Sequence, residues 1–189
     1  ILLENGMTAE EIVDRLNAEL ATGARHRIAA ENALTGPGGA PLTDETTWAD
    51  VLRGDATPAG ITAGEVLTIS GTRGNGSTFL VEYRIDDPAT QTVGELRALI
   101  EQQFGGAASV YFDDGVLTVE MREQGASRAT LAISSENPGS AGLFGPIEVV
   151  TEGRSPATVR ATVEDGQIRI AHDHYGSHAG FVIAFEAGG

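Results

Sequence analysis

The densest polar constellation in the chain is His172-Asp173-His174, followed four residues later by His178. Side chains alternate faces along a strand, so His172 and His174 would share one face, and His178 could reach it from the next turn. Converging imidazoles of this kind are a ligand set for zinc or nickel. A simpler account fits the same residues: an exposed hairpin end with His174-Tyr175-Gly176-Ser177 at its tip. We therefore expect no metal, with His172, His174 and His178 as the only candidates. His26 stands apart from them and has no partner visible in the sequence.

Other chemistry-bearing patterns lead away from catalysis. Gly71-Thr72-Arg73-Gly74-Asn75-Gly76 is glycine-rich but lacks the Lys-Ser/Thr ending of a phosphate loop, so a hairpin loop is expected. Asp86-Asp87 and Asp113-Asp114 lack the alternating ligands and closing Glu of a calcium loop. No serine sits in a Gly-x-Ser-x-Gly elbow. No catalytic residue and no cofactor is expected, and the chain reads as a non-enzyme. Trp48, the sole tryptophan, is expected to anchor a long loop onto the core.

Composition narrows the partners. The 189 residues include 27 acidic and 12 basic ones, all of the latter Arg, for a net charge of −15. Phosphate backbones and anionic membrane surfaces need a basic face, so neither nucleic acid nor membrane is an expected partner. Cysteine is absent, which removes disulfides and thiolate chemistry together. Apolar residues at 41% are enough for a conventional core, and no run approaches a membrane span. The start, Ile1-Leu2-Leu3-Glu4-Asn5, has neither an initiator Met nor a basic leader region. Both ends are expected to lie inside a longer protein.

The elements that would position these residues are short. Thr8-Ala9-Glu10-Glu11 reads as a capping box opening a helix over 8–22, with Ile12, Val13, Leu16 and Leu20 at helical spacing. Thr92-Val93-Gly94-Glu95 has the same form, followed by Leu96, Leu99, Ile100 and Phe104. Residues 35–64 are rich in Gly and Pro and read as mostly loop, with a short helical stretch at Thr46–Leu52. Strands are expected at Val66–Ile69 and Phe79–Ile85, and around the hairpin turns Asp114-Gly115 and Asp165-Gly166. Phe181, Ile183 and Phe185 complete the strand list. Leu96, Leu99 and Ile100 are expected to pack on Phe79, Val81, Tyr83 and Leu117.

Two ungapped internal registers stand out. Adding 84 maps Thr8, Glu11, Ile12, Leu16 and Leu20 onto Thr92, Glu95, Leu96, Ile100 and Phe104. Adding 51 maps Asp114-Gly115, Leu117 and Val119 onto Asp165-Gly166, Ile168 and Ile170. The expected fold is therefore mainly β with short helices (α+β), as two small lobes built from repeated strand–helix–hairpin units. One lobe would combine 1–60 and 145–189, pairing the first helix with the last hairpin, and the other would be 61–144.

The stretch from Ile61-Thr62-Ala63-Gly64-Glu65-Val66 through Thr92-Val93-Gly94-Glu95-Leu96 and Ala108-Ser109-Val110 to Leu131-Ala132-Ile133 resembles the flagellin hook IN repeat. Ser134 to Arg154 is similar to a stretch of the flagellar filament cap family, hook-associated protein 2. The resemblance implies the head region of a cap that assists flagellin polymerisation at the filament tip. It further implies an extracellular, flagellar location, a role in motility, and flagellin as a partner. Self-assembly into an oligomer would run through regions outside this sequence. A hook–filament junction protein, a flagellin insertion domain, or an adhesin-like module meeting host surface molecules are the alternatives.

Overall fold

The computed structural model describes residues 6–137, 139–157 and 159–172. The chain divides into two units: one formed by 1–23 with 155–189, the other by 24–154. The fold is mainly β with two short α-helices. Among the described residues, no helix is long and apolar enough to cross a membrane.

In the first unit, α1 (Ala9–Ala21) opens on the expected capping box. The Glu11 amide donates to Thr8 Oγ1 at 3.2 Å, and the Thr8 amide donates to Glu11 Oε2 at 2.8 Å. The hairpin of β9 (Val159–Glu164) and β10 (Gln167–His172) turns at Asp165-Gly166, both residues having positive φ. Asn17 on α1 exchanges two hydrogen bonds with the backbone of β9. Its Nδ2 donates to the Ala161 carbonyl at 3.0 Å, and the Ala161 amide donates back to Oδ1 at 2.7 Å. Val13 and Ala161 are buried within this unit.

The second unit contains two antiparallel sheets and α2 (Val93–Gln103). One sheet runs β2 (Leu52–Arg53), β1 (Arg25–Thr35), β6 (Val116–Gln124), β5 (Ala108–Asp113), with β8 (Ile147–Thr151) also on β1. The other runs β4 (Thr78–Ile85), β3 (Glu65–Thr72), β7 (Thr130–Ser134). Alternation along β3 and β4 directs Leu67, Ile69, Phe79, Tyr83 and Ile85 inward. They join Leu96 and Ile100 from α2 and Leu117 from β6 in one core, against which Val81 and Leu99 pack partly buried. The Phe79 and Phe104 rings meet edge to face, with centroids 5.3 Å apart.

The hairpin repeat is reproduced residue for residue. In β5–β6, Asp113 faces Val116 and Ala108 faces Met121. In β9–β10, Glu164 faces Gln167 and Val159 faces His172, so the register recurs 51 residues on. α2 likewise begins 84 residues after α1.

Three expectations need correction. The lobe boundaries fall at 23/24 and 154/155, not at 60/61 and 144/145. Residues 24–60 and 145–154 belong with the second unit because β1 is held on both sides there, by β6 and β8. Second, the capping box expected at Thr92 does not form: Thr92 makes no side-chain cap, and Glu95 accepts from the Tyr83 hydroxyl instead. Third, β8 was not expected as a strand. Its Val149 and Val150 are about half exposed, so no buried face marks it in the sequence. Phe181, Ile183 and Phe185 lie outside the described residues.

Candidate functional site

His172 ends β10 opposite Val159, while His174 and His178 lie outside the described residues. Among the described residues, no group of three or more His, Asp or Glu side chains could hold a metal ion. His26, without a partner in the sequence, is only 3% exposed and gains two from distant backbone. Its Nε2 lies 3.1 Å from the Ala129 carbonyl, and the Gly153 amide donates to Nδ1 at 3.4 Å. The tautomer satisfying both contacts carries its hydrogen on Nε2.

The long stretch read as loop from its Gly and Pro is fastened to the start of α2 through residues 44–48. The Val93 amide donates to the Thr46 carbonyl at 3.0 Å, and the Trp48 amide donates to the Gln91 carbonyl at 3.1 Å. Arg97 grips Asp44 with two parallel bonds of 2.8 Å and reaches Glu101 at 3.0 Å. Such a fork is the strong form of an ion pair. Gly94 makes the approach possible, since a Cβ there would lie 2.5 Å from the Asp44 carbonyl oxygen.

Trp48 is buried, as the loop-anchor reading requires. Its Nε1 donates to the Tyr83 hydroxyl at 3.2 Å, and Tyr83 donates to Glu95 Oε2 at 3.0 Å. Burial, reinforced by the Glu95 carboxylate, pushes the Tyr83 phenol up to about 12. The phenol therefore stays protonated and neutral across the physiological range. This chain of groups is arranged for support: the Trp48 Nε1–H and the Tyr83 hydroxyl are both taken up by neighbours in the fold.

The surface of the second unit carries shallow, mixed-charge depressions. One, of about 420 Å³, is lined by Arg25, Arg27, Glu120, Gln124 and Thr151. Its charges are largely matched internally: Arg25 meets Glu120 at 3.1 Å, and the Tyr111 hydroxyl donates to Glu120 at 3.2 Å. The glycine-rich stretch lies at a hairpin, as expected, but Gly71 and Thr72 end β3, paired with Phe79 and Thr78, and only residues 73–77 form the loop to β4. The Arg73 guanidinium lies over the Phe79 ring at 5.3 Å, and its Nε donates to the Gln103 carbonyl at the end of α2.

No protein-family model matches the chain. No curated protein matches it either. Among solved structures, it is similar to the D1-D2-D3 domains of the flagellar cap protein FliD from Escherichia coli. That match has 16% identity and a TM-score of 0.34, and covers 84% of this chain. The chain spans 46% of the length of that structure. A second similar structure is FliD (HAP2) from Pseudomonas aeruginosa PAO1, at 15% identity and a TM-score of 0.32, covering 84% of this chain and 77% of that one.

Proposed function

We infer that this chain is a head region of a bacterial flagellar filament cap, a non-catalytic structural component that assists flagellin polymerisation at the filament tip. One observation carries the reading. The helix with Thr92-x-x-Glu95-Leu96, the Ala108-Ser109-Val110 strand and the Asp114-Gly115 hairpin fold contiguously as α2–β5–β6. These are the segments whose sequence resembles the hook IN repeat. The polar groups of the second unit support a mechanical role, because the Trp48–Tyr83–Glu95 chain and the Arg97–Asp44 fork rigidify loops. On this reading the protein is extracellular, its partners are flagellin and further copies of itself, and self-association runs through segments outside this sequence. The histidines, His172, His174 and His178, hold no metal.

Gold-labelled antibodies raised against this chain, applied to intact cells of the source organism, test the proposal. Label confined to filament tips is the expected result. Label along filaments would favour a flagellin insertion domain, at the filament base a junction protein, and over the cell wall an adhesin.

A further inference from the structure

Two five-residue turns in the second unit are near copies: Arg53-Gly54-Asp55-Ala56-Thr57 and Arg73-Gly74-Asn75-Gly76-Ser77. In the first, the Arg53 amide donates to the Thr57 carbonyl and the Ala56 amide to the Arg53 carbonyl, each at 2.8 Å. In the second, the Arg73 amide donates to the Ser77 carbonyl at 2.7 Å and the Gly76 amide to the Arg73 carbonyl at 2.8 Å. The side chains match as well. Asp55 Oδ1 accepts from the Thr57 amide at 3.0 Å and from its hydroxyl at 2.6 Å. Asn75 Oδ1 accepts from the Ser77 amide at 2.9 Å and from its hydroxyl at 2.8 Å.

We propose that Asn75 is a self-modifying site, deamidating through a succinimide to aspartyl and isoaspartyl forms, with Ser77 as the group that promotes it. The deprotonated Gly76 nitrogen attacks Asn75 Cγ, forming the N–Cγ bond and placing negative charge on Oδ1. That oxygen already faces two donors, the amide and hydroxyl of Ser77, which stabilise charge where it develops. The Cγ–Nδ2 bond then breaks, Nδ2 takes a proton and leaves as ammonia, and water opens the ring at either carbonyl. The net change is amide plus water to carboxylic acid plus ammonia.

Three features favour this position. Asn75 and Ser77 are exposed at a hairpin tip, open to water and hydroxide. Gly76 has no Cβ to crowd the closing ring. The attacking nitrogen is held only by its bond to the Arg73 carbonyl, which must open first. The twin turn shows what the aspartyl product looks like, since Asp55 keeps the same two side-chain bonds and the same backbone closure. An isoaspartyl product adds a backbone atom and cannot keep the register of Arg73 on Ser77.

The test follows from the arginines. Trypsin cleaves after Arg73 and Arg84, and the peptide Gly74–Arg84 holds Asn75 as its only side-chain amide. The intact chain is incubated in mildly alkaline buffer, and this peptide is weighed at intervals against a zero-time digest, with isoaspartate detected by enzymatic methyl transfer. Progressive conversion is expected, slowed about two- to tenfold in Ser77→Ala, the worth of one exposed hydrogen bond. Ser77→Thr, which supplies the donors Thr57 supplies in the twin turn, should restore the rate. Melting temperatures of both variants check that the fold is retained. An unconverted Gly74–Arg84 peptide while Asn5-Gly6 in Ile1–Arg15 reacts, or a Ser77→Ala rate equal to or above the parent's, overturns the proposal.

Discussion

At the scale of single residues, stability rests on buried polar groups and the partners the fold gives them. Tyr83→Phe would leave the Nε1–H of Trp48, a residue 1% exposed, without its acceptor, and Glu95 without its donor. An unsatisfied buried donor costs about 1–3 kcal/mol, so urea denaturation should show a loss of that size. Trp48→Phe in the same background should cost less than it does alone, because the orphaned donor is removed with it. Glu65, 2% exposed, makes a different case. Burial pushes its carboxyl up, but the nearby polar groups of Ser140 and the hydrogen bonds from the Thr62 amide and hydroxyl outweigh this and hold it below its ordinary value of 4.5. A depressed carboxyl stabilises the fold above its unfolded value, and that contribution is lost as pH falls through the folded value. Glu65→Gln should therefore be less stable than the parent at neutral pH, with the gap shrinking under acid. A gap between the urea midpoints that stays constant with pH would contradict this.

At the scale of elements, the two helices share a sequence pattern and differ in what it does. Thr8 and Glu11 close a capping box because α1 has solvent at that end, with both residues exposed. At α2 the chain from 44 to 48 lies across the start of the helix, and Glu95 is taken by Tyr83. The requirement for close approach falls on Gly94, whose counterpart 84 residues earlier is the exposed Glu10. Alanine gains about 1 kcal/mol over glycine inside a helix, but overpacking against backbone costs about 1–3 kcal/mol. Gly94→Ala should thus be neutral to destabilising, by up to about 2 kcal/mol, and should free the Asp44–Trp48 segment to faster hydrogen exchange. Glu10→Ala should change stability by less than about 0.5 kcal/mol. A stabilised Gly94→Ala protein with unchanged exchange at Trp48 would refute the packing described.

At the scale of the whole molecule, the second unit is an insertion into the first. Its ends are zipped together: the Ala24 amide donates to the Arg154 carbonyl at 2.8 Å, and the Arg154 amide returns the bond at 2.9 Å. Adjacent termini are what an inserted domain requires. Gly153 sits where this closure is tightest, since a Cβ there would lie 2.1 Å from the Gly125 carbonyl oxygen. Residues 24–154 expressed alone should fold and unfold in one cooperative transition. The first unit depends on both arms of the chain, because Asn17 on α1 exchanges two hydrogen bonds with Ala161 of β9. A 13-residue helix is marginal by itself in water. In a chain ended at Arg154, α1 amides should lose their protection from hydrogen exchange while β1, β6 and α2 keep theirs. Retained protection in α1 would show that the helix is stabilised by something other than the hairpin.

The sequence by itself determined what a few neighbouring residues can decide. The cap at Thr8, the Asp-Gly turns, the alternation along β4 and the identical register of the two hairpins all follow from local sterics and hydrogen bonding. The buried set Leu96, Ile100, Phe79, Tyr83 and Leu117 was legible from periodicity for the same reason. Tertiary structure decided where β1 goes, because a strand leaving a helix can pair with any open edge, and this one found β6 and β8. It also made β8 a strand, since exposed residues without a buried face become a strand only through a partner. The contacts of His26 with residues 129 and 153, and of Thr46 with Val93, join positions far apart in the chain. No short-range pattern encodes such pairs; they exist because the folded backbone brings a carbonyl or an amide to within bonding distance.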